Sequence, residues 1–265
     1  MTETSTSAAL TYGSYLALDE ILAAQRPRSA EHDEPLFIVV HQVYELWFKQ
    51  LLHELARLQD LLAEGRTAHS LHTLNRSLTI MKVVVAQVDV LETMTPRQFT
   101  SFRARLDAAS GFQSAQFREL EAVLGRRDHR VAEHYPSGSA ERARVEAAMS
   151  RPALFDSFLR YLAAHGYQVP AAALDRNVTV PAEADPALRP VLLAVYRDDD
   201  GPAQVAERLV DLDEGVQEWR YRHVKMVQRT IGDKSGTGGS SGAAYLRGTI
   251  FTPAFPDLWA IRSEL

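Results

Sequence analysis

The chain has 265 residues, 46% of them hydrophobic, a formal charge of -5 and no cysteine. That length and apolar content support a large buried core, and the lack of cysteine removes disulfides, zinc-thiolate sites, iron-sulfur clusters and cysteine nucleophiles. A mildly acidic balance without a long lysine or arginine run argues against nucleic acid as a partner, and no apolar run approaches the roughly 20 residues that span a bilayer; a soluble, cytoplasmic protein is expected.

Residues 1 to 10 read as a flexible polar tail, after which Tyr12, Tyr15, Leu16, Ile21 and Leu22 recur at mixed helical spacing. Pro27 and the polar stretch RPRSAEHDEP break the chain before a long helix that starts near Leu36 and is ended by Gly65. One stripe of that helix runs Leu36, Val40, Val43, Trp47, Leu51, Glu54, Leu58 and Leu62, and its neighbour runs Phe37, His41, Tyr44, Phe48 and Leu55. Apolar nearly all round, it belongs in the middle of a bundle. Leu71, Leu74, Leu78, Met81, Val85 and Val88 give the next helix the three-four seam of an antiparallel partner, stopping near Glu92.

Thr95-Pro96-Arg97-Gln98 has the makings of a helix start: Thr95 can cap, Pro96 suits the first position, and Gln98 can reach back to complete a capping box. Phe99, Phe102, Arg103 and Leu106 follow. After Ser110-Gly111, the stretch FQSAQFRELEAVLG predicts a helix with Phe112, Phe117, Leu120 and Leu124 inward. Ser139 to Met149 predicts a charged surface helix, Pro152 to Gly166 another helix, and Pro170 to Pro186 a linker. Ala187 to Tyr196 and Ala203 to Ile231 supply the last two helices, Gly232 ending the second. No stretch alternates as a strand would, so the fold class is all-α, a helical bundle with long buried helices in a single domain over residues 1–265.

Three features stand out from this background. His223 occupies the stripe Leu209, Leu212, Val216, Trp219, His223, Met226, Thr230, where a leucine is expected, and His41 lies among apolar residues in the same way. A buried hydrogen bond or a haem iron would each satisfy such an imidazole. Arg103 follows Phe99 and Phe102 on an apolar face, where a guanidinium needs a carboxylate, either internal or brought by a substrate. The loop Gly236, Thr237, Gly238, Gly239, Ser240, Ser241, Gly242 offers backbone amides and hydroxyls, yet its spacing matches neither a dinucleotide fingerprint nor a P-loop. It reads as a linker or as a lid over a polar ligand. Glu-x-x-His pairs and H-E-x-x-H are absent, which disfavours non-haem iron and zinc-peptidase arrangements.

The blocks YGSYLALDEILAAQ, HDEPLFIVVHQVYELWFKQLLHEL, FRARLDAASGFQSAQFR, WRYRHVKMVQRTIG and GTGGSSGAAYLR together resemble the tryptophan 2,3-dioxygenase family, in family order and over nearly the whole chain; residues from about 126 to 200 carry little of the likeness. The resemblance implies a homotetrameric haem b enzyme, ferrous when active, with its haem pocket between helices. Such an enzyme inserts both atoms of O2 across the indole C2–C3 bond of L-tryptophan, giving N-formyl-L-kynurenine. It further implies that His223 is the proximal iron ligand, that Arg103 pairs the substrate carboxylate, and that Thr237 helps hold the amino-acid end. Phe37 and His41 would meet the indole ring and its N–H, and Phe99 would join the substrate pocket. Tyr12, Tyr15 and Leu16 would belong to a segment that completes a neighbouring subunit's pocket, and the loop 236–242 would close over the site. A haem monooxygenase acting on tryptophan or a modified tryptophan is the alternative chemistry, and a non-catalytic haem-binding or sensing bundle is the alternative class.

Overall fold

A computed structural model of the chain describes residues 9–107, 109–234 and 246–265. Thr237 and the rest of the expected loop over 236–242 lie outside the described residues, as does most of the expected N-terminal tail. The helices are α1 (Tyr12–Tyr15), α2 (Leu18–Leu22), α3 (Glu34–Ala63), α4 (Thr67–Leu91), α5 (Pro96–Arg103), α6 (Ala115–Val123), α7 (Ala140–Met149), α8 (Leu154–Ala164), α9 (Ala171–Leu174), α10 (Arg189–Asp198), α11 (Gly201–Ile231) and α12 (Pro256–Ala260). Among the described residues there is no strand, in keeping with the all-α expectation, and no helix is long and apolar enough to cross a membrane.

The bundle is centred on α4, which packs along both α3 and α11. The turn between α3 and α4 is dictated locally. Gly65 takes φ +67°, its N–H donates to Leu62 O (3.0 Å), and the Arg66 N–H reaches Leu61 O (2.8 Å). That pair of bonds is the Schellman closure, which favours glycine because an L side chain strains at positive φ. A tight reversal then lays α4 antiparallel on α3, burying Leu51, Leu55, Leu58 and Leu62 against Leu74, Met81, Val84 and Val88. The start of α11 crosses the start of α4 closely: a Cβ on Gly201 would stand 2.7 Å from Thr67 Cγ2.

Buried charges at helix ends are met where they occur. Glu34, 1% exposed, accepts from Arg28 N (2.7 Å) and Ser29 N (2.8 Å), folding the RPRS turn onto the start of α3. The Thr95–Gln98 capping box forms as the sequence predicts, with Gln98 N donating to Thr95 Oγ1 (3.3 Å) and Thr95 N to Gln98 Oε1 (2.8 Å). In α11 the buried Asp213 carboxylate accepts from Ala254 N (2.9 Å), Phe255 N (3.1 Å) and Trp259 Nε1 (2.9 Å), pinning the C-terminal segment so that Phe255, Leu258 and Ile261 enter the core.

Several boundaries differ from the sequence reading, each for a local reason. The stretch after Tyr12 is two short helices, because Ala17 adopts φ +50° between them. The helix expected from Phe112 begins at Ala115: Ser110 and Ser114 accept from Phe112 N (3.3 Å) and Phe117 N (3.1 Å), so a 3-10 turn over Gly111–Gln113 precedes it. The expected surface helix α7 buries Val145, Ala148 and Met149 in a small second core with Val131, Ala132 and Tyr135. The expected linker contains α9, and α12 near the C terminus has no counterpart in the sequence reading.

Candidate active site

Facing helices supply two imidazoles to one cavity. His41 on α3 and His223 on α11 both line a largely apolar space of about 220 Å³, together with Phe37, Phe99, Arg103 and Trp219. Phe37 and His41 are one turn apart, so their rings meet, centroids 4.1 Å apart and planes tilted by 40°. The capping box that starts α5 sets which of its residues face inward. Phe99 and Phe102 each place a ring 5.7 Å from Phe37, and Arg103 follows them onto the cavity wall.

The two imidazoles are held in defined states. His41 Nδ1 lies 2.7 Å from Phe37 O. A carbonyl can only accept, so Nδ1 carries the hydrogen and Nε2 keeps its lone pair. Burial lowers the His41 pKa, against the Phe37 bond and the Glu45 charge, which raise it. His223 is pushed down to about 4, first by burial and then by the positive charge His41 would carry when protonated and by that of Arg118. Both rings are therefore neutral near pH 7. Neither ring nitrogen of His223 forms a hydrogen bond among the described residues, and Trp219 lies parallel to its ring at 5.0 Å and 12°.

What could bind there follows from the donor set. No group of three or more His, Cys, Asp or Glu residues capable of holding a metal occurs among the described residues. A bare ion would thus lack the set of protein ligands it needs, whereas haem carries nitrogen ligands of its own and would ask the protein for a base and an apolar slot. A neutral, otherwise unbonded imidazole on an apolar cavity wall meets that requirement, so the residues present fit haem.

Charged residues that the sequence reading passed over lie on the same wall. Arg118 and Glu121 of α6 and Arg220 of α11 line the cavity. Glu121 accepts from Arg118 Nη1 (2.7 Å), Arg220 Nη2 (3.0 Å) and Arg126 Nη1 (3.3 Å). Those guanidiniums hold its carboxyl below the usual range although burial pushes the other way. The charged pair at i and i+3 on α6 was the available signal, though the other two members of the cluster, Arg126 and Arg220, lie beyond that helix.

Of the residues singled out from sequence, Phe37, His41, Phe99, Arg103 and His223 meet in this cavity. Tyr12, Tyr15 and Leu16 do not line it; they are 77%, 71% and 37% exposed. Thr237 and its loop lie outside the described residues.

Comparison with known proteins bears on this geometry. A family profile described as tryptophan 2,3-dioxygenase matches residues 1–146 and 175–265. The chain is 69% identical to a tryptophan 2,3-dioxygenase of Anaeromyxobacter sp. (strain K) over 98% of its own length and 97% of the relative. Against the enzyme of that name from Herpetosiphon aurantiacus it is 57% identical over 98% of its length and 100% of the relative. For Caulobacter vibrioides the identity is 43%, over 97% and 98% respectively.

Proposed function

The chain belongs to the tryptophan 2,3-dioxygenase family, and we propose that the cavity between His41 and His223 is where it cleaves L-tryptophan. Both atoms of O2 are added across the indole C2–C3 bond, and the product is N-formyl-L-kynurenine. The observation that carries this assignment is the pair of neutral imidazoles on facing helices across one apolar cavity, with Arg103 on its wall.

In this reading His223 gives its neutral nitrogen to the iron of haem b. When bound, ferrous haem would supply a redox-active iron for the chemistry of O2. The protein's own residues bind and orient the substrate. A zwitterionic amino acid entering an apolar space needs its charges met, and the Arg103 guanidinium can take the carboxylate through paired N–H bonds. His41, with Nδ1 committed to Phe37 O, presents Nε2 as an acceptor for the indole N–H. Phe37 and Phe99 fill the space beside the ring and exclude water. His41 acts by orientation, since it needs no proton transfer to do this work.

The roles of Thr237 and of the loop over 236–242, at the amino-acid end of the substrate, rest on the family resemblance. So do the homotetramer and the docking of Tyr12, Tyr15 and Leu16 against a neighbouring subunit's pocket; the exposure of these apolar side chains in the single chain supports that reading. A cytoplasmic location accords with the cysteine-free composition. Haem-loaded protein given L-tryptophan under air tests the assignment: it is expected to form N-formyl-L-kynurenine, and haem-loaded protein that forms none overturns it.

A further inference from the structure

One arrangement on the cavity wall has no part in holding the substrate as proposed above. Glu121 is 5% exposed, and its single carboxylate accepts from three guanidiniums, those of Arg118, Arg126 and Arg220. Three guanidiniums satisfy the acceptor sites of that carboxylate but bring three positive charges to its one negative charge.

The cluster reaches His223 by two routes. Arg220 lies three residues before His223 on α11, and its Nη1 also donates to Thr249 O (3.2 Å) and Thr252 O (3.3 Å), fixing the guanidinium beside the cavity. Arg118 stacks over the ring of Phe112 (4.6 Å) and stands 5.9 Å from that of Phe117; Phe117 packs on Trp219 (4.7 Å), which lies against His223. Glu45, another carboxylate on the wall, accepts from Gln116 (2.8 Å) and offsets part of the positive charge.

Fixed positive charge in a low-dielectric wall opposes the gain of a further positive charge nearby, which is what oxidation of ferrous to ferric iron entails. We infer that the Glu121 cluster tunes the iron held by His223, its excess of guanidiniums raising the reduction potential so that the ferrous form is favoured. This inference rests on the haem reading given above.

Redox titration of the haem-loaded protein at fixed pH and ionic strength tests it. Removing the negative charge in Glu121→Gln is expected to raise the potential, and removing a positive one in Arg220→Gln to lower it. Each shift should be on the order of a tenfold change in the ferrous-to-ferric ratio, about 59 mV for one electron. Arg220→Lys, which keeps the charge, should stay near the wild type. Loosened packing would move both neutral variants in one direction, so opposite signs identify a charge effect. Shifts of the same sign, or none, overturn the inference. Arg126→Gln provides a milder probe should Arg220→Gln fail to fold: its side chain is 26% exposed, and a smaller fall is expected. An unmoved or raised potential in that variant also counts against the cluster. Wild-type protein that takes up no haem overturns the haem reading and this inference with it, whereas variants that bind haem at an unchanged potential overturn this inference alone.

Discussion

The indole of Trp219 lies parallel to the imidazole of His223, ring centroids 5.0 Å apart and planes 12° from one another. Their i, i+4 spacing on α11 sets the approach, and Phe117 (4.7 Å), Phe48 (6.2 Å) and Tyr44 (6.4 Å) pack around the indole. A rigid aromatic plate thus limits rotation of the ring assigned to the iron. Trp219→Ala is expected to cost about 3–5 kcal/mol of stability, as large-to-small changes at buried aromatics do, and to weaken haem binding. Trp219→Phe should lose less of both. Urea unfolding and haem titration provide the check, and unchanged haem affinity in the alanine variant would remove the positioning role.

The His41–Phe37 bond makes a prediction about acid. Protonating His41 puts a hydrogen on Nε2, where an acceptor is required. Because burial holds its pKa below the ordinary 6.5, the neutral form persists above that value and is lost only as pH falls through the lowered pKa. The acid limb of kcat/KM from this group should therefore lie below pH 6.5. His41→Ala leaves the indole N–H unpaired, at about 1–3 kcal/mol, so kcat/KM should fall by roughly fivefold to a hundredfold without vanishing. Complete loss with normal substrate binding would point instead to obligatory proton transfer.

Arg103 is expected to recognise a carboxylate. In Arg103→Ala the affinity for L-tryptophan should drop by about 1.5–3 kcal/mol, the range for hydrogen bonds to charged groups, while binding of tryptamine, which has no carboxylate, should be unaffected. Arg103→Lys should recover little, because an ammonium cannot reproduce the planar fork. Substrate-induced changes in the haem spectrum report both affinities. Equal losses for the two ligands would mean that Arg103 serves the fold.

Asp213 ties α11 to the C-terminal segment through one carboxylate. Asp213→Ala would strand the N–H donors of Ala254, Phe255 and Trp259, all within 3.1 Å of one oxygen. A loss of about 3–5 kcal/mol is expected, with a smaller loss for Asp213→Asn, which keeps an acceptor. Chemical denaturation of the three proteins measures this, and an alanine variant as stable as the wild type would contradict it.

Features governed by neighbours along the chain were legible in the sequence. The Thr95–Gln98 box, the stop at Gly65 and the odd histidine in the α11 stripe each depend on residues within a turn or two. Periodicity brought His41 and His223 to notice, and the resemblance supplied haem and tryptophan. What stayed hidden depends on segments far apart. Asp213 meets its partners more than 40 residues downstream, and Glu121 lies 99 residues from Arg220. A charged residue in an apolar helix gives no sign of which distant cation will meet it. The break at Ala17 also escaped, since alanine seldom adopts positive φ and nothing in its neighbours announces the exception.

The central claim is that the His41–His223 cavity adds both atoms of one O2 to L-tryptophan. Turnover of the haem-loaded protein under 18O-labelled O2, with the product mass resolved, tests it most directly. N-formyl-L-kynurenine carrying two labelled oxygens, and none formed by a His223→Ala protein that keeps its helical signal but takes up no haem, is the result predicted here. A product bearing one labelled oxygen would make the chain a monooxygenase and contradict the account.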